Sequence, residues 1–435
     1  MTDPEDYDIL GPLFDRLKEL LKDLIVNSPD SLIRSRNQKE DEEVLRIVFE
    51  AEDDHLHDIL QRLSRRNARI GVEGTATGLS PRRQILKALD TALSTAMTAE
   101  MPVLLWSMDT DKISLATTVL AWATSVRRPG YEKIFIAVRL FRTWCKNALD
   151  ITSIILDFLG SSNNETMLNR RAFYQLVSEL VRSGQFSVAR YLEWVIARGG
   201  IHQHEAVSKD GPIASRLIAE LPVHNLTEKV YDLRSTLLSR SEDILDEEED
   251  RTQDCITIID ILLVNMPPIV ENPVQDLDVS ANTVERDLLE ASWTTKSEIG
   301  LWLRHKVKTF LNNEVVPHID EWSSISTKCQ QSQLTLDDFT VIKRCLLLTA
   351  DFSMLADVVK LVCDTASSDI LASCADTLNL YILTFSAIGA IDFIFESLMA
   401  RVNGLMERLE AIPRVLLVAL SDLAAQLPQQ QQMLP

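Results

Sequence analysis

Across 435 residues the chain holds only 13 glycines and 15 prolines, about 6% of positions against about 12% in average usage. Turn-rich β folds need these residues to reverse direction, so the shortage points to long helices with short connections. The apolar pattern agrees. Ile9, Leu13, Leu17, Leu20, Leu21 and Leu24 recur at steps of three and four, the spacing of one helix face. Further helices are expected near 43–68, 81–98, 112–127, 131–147, 165–183, 186–198, 213–220 and 226–240, and then near 255–265, 284–313, 335–349, 352–365, 369–402 and 412–426. Ser80-Pro81 reads as a helix start, while Pro129-Gly130, Ser183-Gly184 and Gly199-Gly200 read as breaks. No strand-period alternation persists beyond a few residues. The expected fold is all-α, a helical array of α-solenoid type with two helical regions.

The expected divisions are an acidic N-terminal helical segment (1–54), a helical core (55–240), an acidic and proline-bearing linker (241–283), a C-terminal helical region (284–427) and the start of a glutamine-rich tail (428–435). The linker assignment rests on SEDILDEEEDRTQD at 241–254, which reads as an exposed linker or a frayed helix end, and on the proline loop at 266–282. The N-terminus is acidic and lacks the layout of a signal peptide. The apolar stretches Thr377–Ile391 and Ile113–Val126 are shorter than the roughly 20 residues that span a bilayer. Six scattered cysteines form no CxxC pair, which suggests a reducing compartment. A soluble intracellular protein is expected.

Lys and Arg number 44 against 64 Asp and Glu, a net charge of −20. Such a surface repels nucleic acid and acidic membranes, so neither is an expected partner. The charge is uneven: residues 1–60 carry −10, 61–200 carry +8 and 201–435 carry −18. Either the basic centre balances the acidic flanks within the folded chain, or it presents a positive patch to an acidic partner.

Catalytic signatures are absent. The sequence has no GxxxxGK[ST], GxGxxG, GxSxG or HExxH motif. His202, His204 and Glu205, and likewise His55 and His57 among Glu52, Asp53, Asp54 and Asp58, lack recognised metal-ligand spacing and read as solvated polar segments. No cofactor, metal site or enzyme activity is expected. On a helix from Tyr131, Ile134, Ala137, Val138, Phe141, Trp144 and Cys145 share one face, and Arg139, Arg142 and Lys146 line another. That second stripe reads either as a plain solvated face or, since arginine favours interfaces, as a partner surface, for which Arg139, Arg142 and Lys146, with Arg198, are the candidates. Apolar side chains surround the helix at 186–198, which reads as buried, with Arg190 and Glu193 spaced for an intrahelical pair. Leu120, Trp122, Ala123, Phe141, Trp144, Phe186, Tyr191 and Trp194 are the candidate core residues.

Three blocks, TTVLAWATSVRRPGYEKIFIAVRLFRTW (117–144), FSVARYLEWVIARGG (186–200) and ASRLIAELPVHNLTEKVYDLRSTLLSR (214–240), together resemble Mediator subunit 12, especially its fungal forms. LQRLSRRNARI (60–70) resembles the segment preceding the family's Leu-Cys-Glu-Trp-Ala core. That core appears here as Leu120-Ala121-Trp122-Ala123, without its Cys and Glu. The resemblance covers about residues 55–250, and beyond 250 only an acidic helical character is shared. No kinase-activating segment is recognised before residue 55, and the length suggests a divergent form, a fragment or an incomplete gene model. The resemblance implies a nuclear, non-catalytic scaffold in the Mediator kinase module, partnered by a cyclin-dependent kinase, a cyclin and subunit 13, that regulates RNA polymerase II transcription. A general α-solenoid adaptor outside transcription is the alternative.

Overall fold

A computed structural model describes residues 81–95, 97–161, 168–199, 207, 211–224, 226–238, 242–264, 284–312, 334–363, 367–407 and 412–427. The chain forms two compact units, Met1–Arg83 and Gln84–Pro435, and all but the first three described residues lie in the second. The helices expected near 9–24 and 43–68, the loop at 71–80, His55, His57, His202, His204 and Glu205, the proline loop at 266–282 and the glutamine tract lie outside the described residues.

In chain order the helices are α1 (Pro81–Thr95), α2 (Met101–Met108), α3 (Lys112–Ala123), α4 (Glu132–Cys145), α5 (Ile151–Gly160), α6 (Arg170–Arg182), α7 (Val188–Ala197), α8 (Ile213–Glu220), α9 (Glu228–Leu238) and α10 (Glu242–Val264). Then follow α11 (Trp293–Asn312), α12 (Leu336–Leu348), α13 (Phe352–Cys363), α14 (Ser368–Leu380), α15 (Ile382–Ile388), α16 (Ile391–Glu407) and α17 (Arg414–Gln426). A short helical stretch at 284–290 precedes α11. Among the described residues the only β pairing is an isolated bridge between Ser125 and Leu168. The fold is all-α, as the shortage of turn formers demanded.

Local chemistry sets many of the helix starts. Side chains of Asp111, Asp150, Asn169 and Ser187 accept backbone N–H groups at the heads of α3, α5, α6 and α7, satisfying donors that a helix cannot bond internally. Thr335 and Asp338 form a reciprocal capping box on α12. Gly389 ends α15 at φ +84°, a left-handed turn that costs a residue with a Cβ far more than glycine.

Three sequence expectations are corrected. The acidic run at 241–254 is helical from Glu242, and that helix buries Thr252, Cys255, Ile259 and Leu263, steps of three and four that turn one face inward and carry the acids along. The helix expected over 369–402 is three helices. It bends by 86° between α14 and α15 and turns again at Gly389, because one straight rod could not lay so many apolar residues on a compact core. The 186–198 helix is buried on one face only: Val188, Tyr191, Leu192 and Val195 are inside, while Ile196 is 46% exposed. Helices α2 and α5, short and strongly apolar, have no counterpart among the sequence expectations. Among the described residues no single helix is long and apolar enough to cross a membrane.

The core is continuous from Ile85 to Leu427. Helix α4 lies at its centre, packed on α2, α3, α6 and α15. That crowding buries Lys133 through Val138 together with Leu140, Phe141 and Trp144, a wider band than the expected stripe. Lys133 is enclosed but satisfied: its ammonium donates to the Ser125 carbonyl at 2.9 Å and also to that of Arg128. Burial and the neighbouring Arg128 charge lower its pKa to about 8. The tryptophan tips find partners too. Trp122 Nε1 donates to Asp90 of α1 at 2.9 Å, and Trp144 Nε1 to the Pro102 carbonyl of α2 at 2.9 Å.

Candidate functional site

The basic centre and the acidic C-terminal part of the chain meet along α4 and α6. Arg182 of α6 makes a two-pronged contact with Asp351, NH1 to Oδ1 and NH2 to Oδ2, both at 2.8 Å. Asp351 is fully buried and also caps α13, accepting from Met354 N at 3.0 Å. Glu179, one turn before Arg182, accepts from its NH1 at 3.2 Å and from the Ser353 hydroxyl at 2.9 Å. Burial would lower the Arg182 pKa, but Asp351 and Glu179 outweigh it, so the guanidinium stays charged. Burial raises the pKa of Glu179. Gln175 donates to the carbonyl of Ala350 at 3.0 Å. Ala350 itself sits at φ +56°, an uncommon left-handed conformation for a residue with a Cβ.

A second joint uses the same logic. Glu220, buried at the end of α8, accepts from Arg216 Nε at 2.9 Å and from Trp293 N at 2.8 Å. It thereby fills the open N-terminus of α11 with a carboxylate, the favourable sign for a helix dipole. The Thr294 hydroxyl lies 2.8 Å from the carbonyls of both Ala219 and Leu221. A third joint brings α4 to α15: the Arg139 guanidinium donates to the Ser386 carbonyl at 3.1 Å, and the Thr384 hydroxyl donates to Glu132 at 2.8 Å. Rings close the seam, with Tyr131, Phe135 and Tyr381 all against Phe352 at centroid distances of 5.3, 6.2 and 5.1 Å. Part of the basic centre is therefore consumed inside the chain.

The candidate residues separate on this frame. Leu120, Trp122, Ala123, Phe141, Trp144, Phe186 and Tyr191 are buried. Trp194 is half-buried, stacked on Tyr191 at 6.5 Å with the Arg198 guanidinium 4.3 Å from its ring centroid. The Tyr191 hydroxyl donates to the Ala214 carbonyl at 2.6 Å, and burial raises its pKa. Arg139 is half-buried, with its pKa lowered by burial and partly restored by Asp392. Arg142, Lys146 and Arg198 are exposed. Arg190 turns away from Glu193 and pairs with Asp150 at 2.9 Å, because the α5 cap presents a carboxylate there.

Val138, Arg142, Glu179 and Arg182 also line a groove of about 540 Å³ with Met354, Asp357, Lys360, Phe393 and Ile394. Sequence reasoning missed the groove's second wall. Asp351 was readable as a helix cap, but nothing in the chain order pairs it with Arg182. Among the described residues no three His, Cys, Asp or Glu side chains gather as a metal site.

These features define an all-α, armadillo-like helical array closed by buried polar joints. Residues 247–435 match the SRB8 ARM-like domain, the stretch where the sequence motifs had been silent. The chain is 31% identical over 427 residues to Mediator of RNA polymerase II transcription subunit 12 of Neurospora crassa, covering 98% of this chain and 23% of that protein. It is 32% identical over 438 residues to the Aspergillus terreus subunit 12, covering 99% and 26%. The chain is a relative of Mediator subunit 12, similar along almost its whole length rather than only over 55–250, and it spans about a quarter of those relatives' length. No solved structure matches it.

Proposed function

We propose that this chain is a non-catalytic helical scaffold of the Mediator kinase module, acting in the nucleus on RNA polymerase II transcription through contacts with a cyclin-dependent kinase, a cyclin and subunit 13. The observation that carries this reading is the likeness to subunit 12 over 98–99% of the chain. A continuous core with its charged groups spent on joints between helices suits a scaffold. Of the candidate partner surface, Arg142 on α4 and Lys146 at its C-cap are exposed, and Arg198 lies over Trp194. Arg139 contributes by holding α15 in place.

Affinity purification of the tagged chain from nuclei tests the reading. Recovery of the kinase, the cyclin and subunit 13 is expected. Recovery of cytoplasmic coat or degradation machinery in their place would overturn it. Reversing Arg142 and Lys146 together to Asp is expected to lower that recovery while the chain stays folded.

A further inference from the structure

The groove between α4, α6, α13, α15 and α16 has an apolar floor and a charged rim. Val138, Met354, Ile388 and Ile394 supply the floor, and Phe393, 48% exposed, stands beside it. Arg142, Arg182 and Lys360 face it against only two carboxylates, Glu179 and Asp357. Those carboxylates are already held. Glu179 serves Arg182 and Ser353, and Asp357 lies 3.5 Å from Arg304. Arg182 is spent on Asp351. The cations left facing solvent are Arg142 and Lys360, both exposed, and the Lys360 ammonium sits 4.2 Å from the Phe393 ring centroid. Cation and ring are thus offered side by side, on a chain whose net charge is −20.

We propose that this groove docks an acidic segment of a partner protein, its carboxylates drawn to Arg142 and Lys360 and an adjacent apolar side chain seated against Phe393 and Ile394. Charge complementarity selects the occupant. Most of the chain's surface repels an acidic peptide, so a cationic rim over an apolar floor gives both a preferred landing place and a reason to stay. A free phosphate would use the rim and leave the floor exposed. The inference rests on the protein-contact reading above but on none of the particular module proteins.

The test uses the full chain and a short fluorescein-labelled peptide of alternating Asp and Phe, read by anisotropy. Reversing Arg142→Glu with Lys360→Glu is expected to weaken binding at least about tenfold. Reversing Lys229→Glu with Arg414→Glu, both exposed, changes net charge equally and is expected to leave the affinity within about twofold. Phe393→Ala is expected to weaken binding at unchanged net charge. Circular dichroism melting confirms that each variant folds. Equal losses from both double reversals, equal binding of a Ser-Phe peptide, an unchanged affinity in Phe393→Ala, or full displacement by millimolar inorganic phosphate would each overturn the proposal. Peptide binding with no module proteins recovered from nuclei would sink the module reading and leave the groove standing, and the opposite result would do the reverse.

Discussion

The two halves of this molecule are built from different materials. Up to α9 rings recur through the aliphatic core and touch one another: Trp106 on Trp144 at 5.7 Å, Phe141 on Trp144 at 6.1 Å, Phe158 on Phe173 at 6.2 Å and Phe186 on Tyr191 at 6.3 Å. Beyond α9 the core is mostly aliphatic and small, with Cys255, Cys345, Cys363 and Cys374 all buried. Burial raises the thiol pKa of Cys255 to about 11 and of Cys345 to about 12, so these thiols behave as inert packing groups. Rings carry shape and a polar tip that must be answered, so each fixes its neighbours. Leucine and cysteine packing tolerates exchange of one small side chain for another. The ring-built half leaves a memorable sequence motif, and the aliphatic half does not.

Four substitutions sharpen that contrast. The largest effect is expected at the joint. Asp351→Ala leaves Arg182 with Glu179 alone and uncaps α13, at a cost of about 3–5 kcal/mol. Urea unfolding followed at once by tryptophan fluorescence and circular dichroism should change from coincident to separate transitions. Coincident curves at wild-type stability would show that the halves do not depend on this pair. Next comes the ring half itself. Trp144→Ala removes a fully buried indole and its bond to Pro102, at about 3–5 kcal/mol, whereas half-buried Trp194 should cost about 2 kcal/mol. Equal losses at the two tryptophans would contradict the burial difference. The smallest effect is at the surface pair. Asp150→Asn keeps the α5 cap but drops the charge facing Arg190, and exposed pairs of this kind contribute about 0–1 kcal/mol. The hydrogen bond from Arg190 depresses the Asp150 pKa to about 2, from 3.8. Its stabilisation is therefore present above about pH 4 and lost as pH falls toward 2. The Asp150→Asn and wild-type stability curves should converge over that window, and a gap that persists at pH 2 would exclude the assignment.

What the sequence disclosed follows the same division. Helical class was plain from the missing turn formers, and the starts of α3, α6, α7 and α12 coincide with short polar side chains that cap them. The first two motif blocks were legible because Trp122, Trp144, Tyr191 and Trp194 recur at readable spacing. The likeness beyond 250 was not, since aliphatic helices look alike by eye and the SRB8 ARM-like match spans just that stretch. The uneven charge left two readings open, and the buried bonds from Arg182 and Arg139 into the second half show part of that charge balanced internally. Long-range pairing was the unreadable part. Arg182 and Asp351 stand 169 positions apart, and no local rule joins them.

The Arg182–Asp351 contact also constrains how such a chain can change over generations. A lineage that loses Arg182 strands the buried Asp351 carboxylate, and one that loses Asp351 leaves Arg182 to Glu179 alone. The two positions should therefore be replaced in step, or exchanged together for an apolar pair of similar volume. The same holds for the buried pair of Arg216 and Glu220 on α8. The halves differ in composition and legibility, yet they are bound to a shared history at a few buried residues.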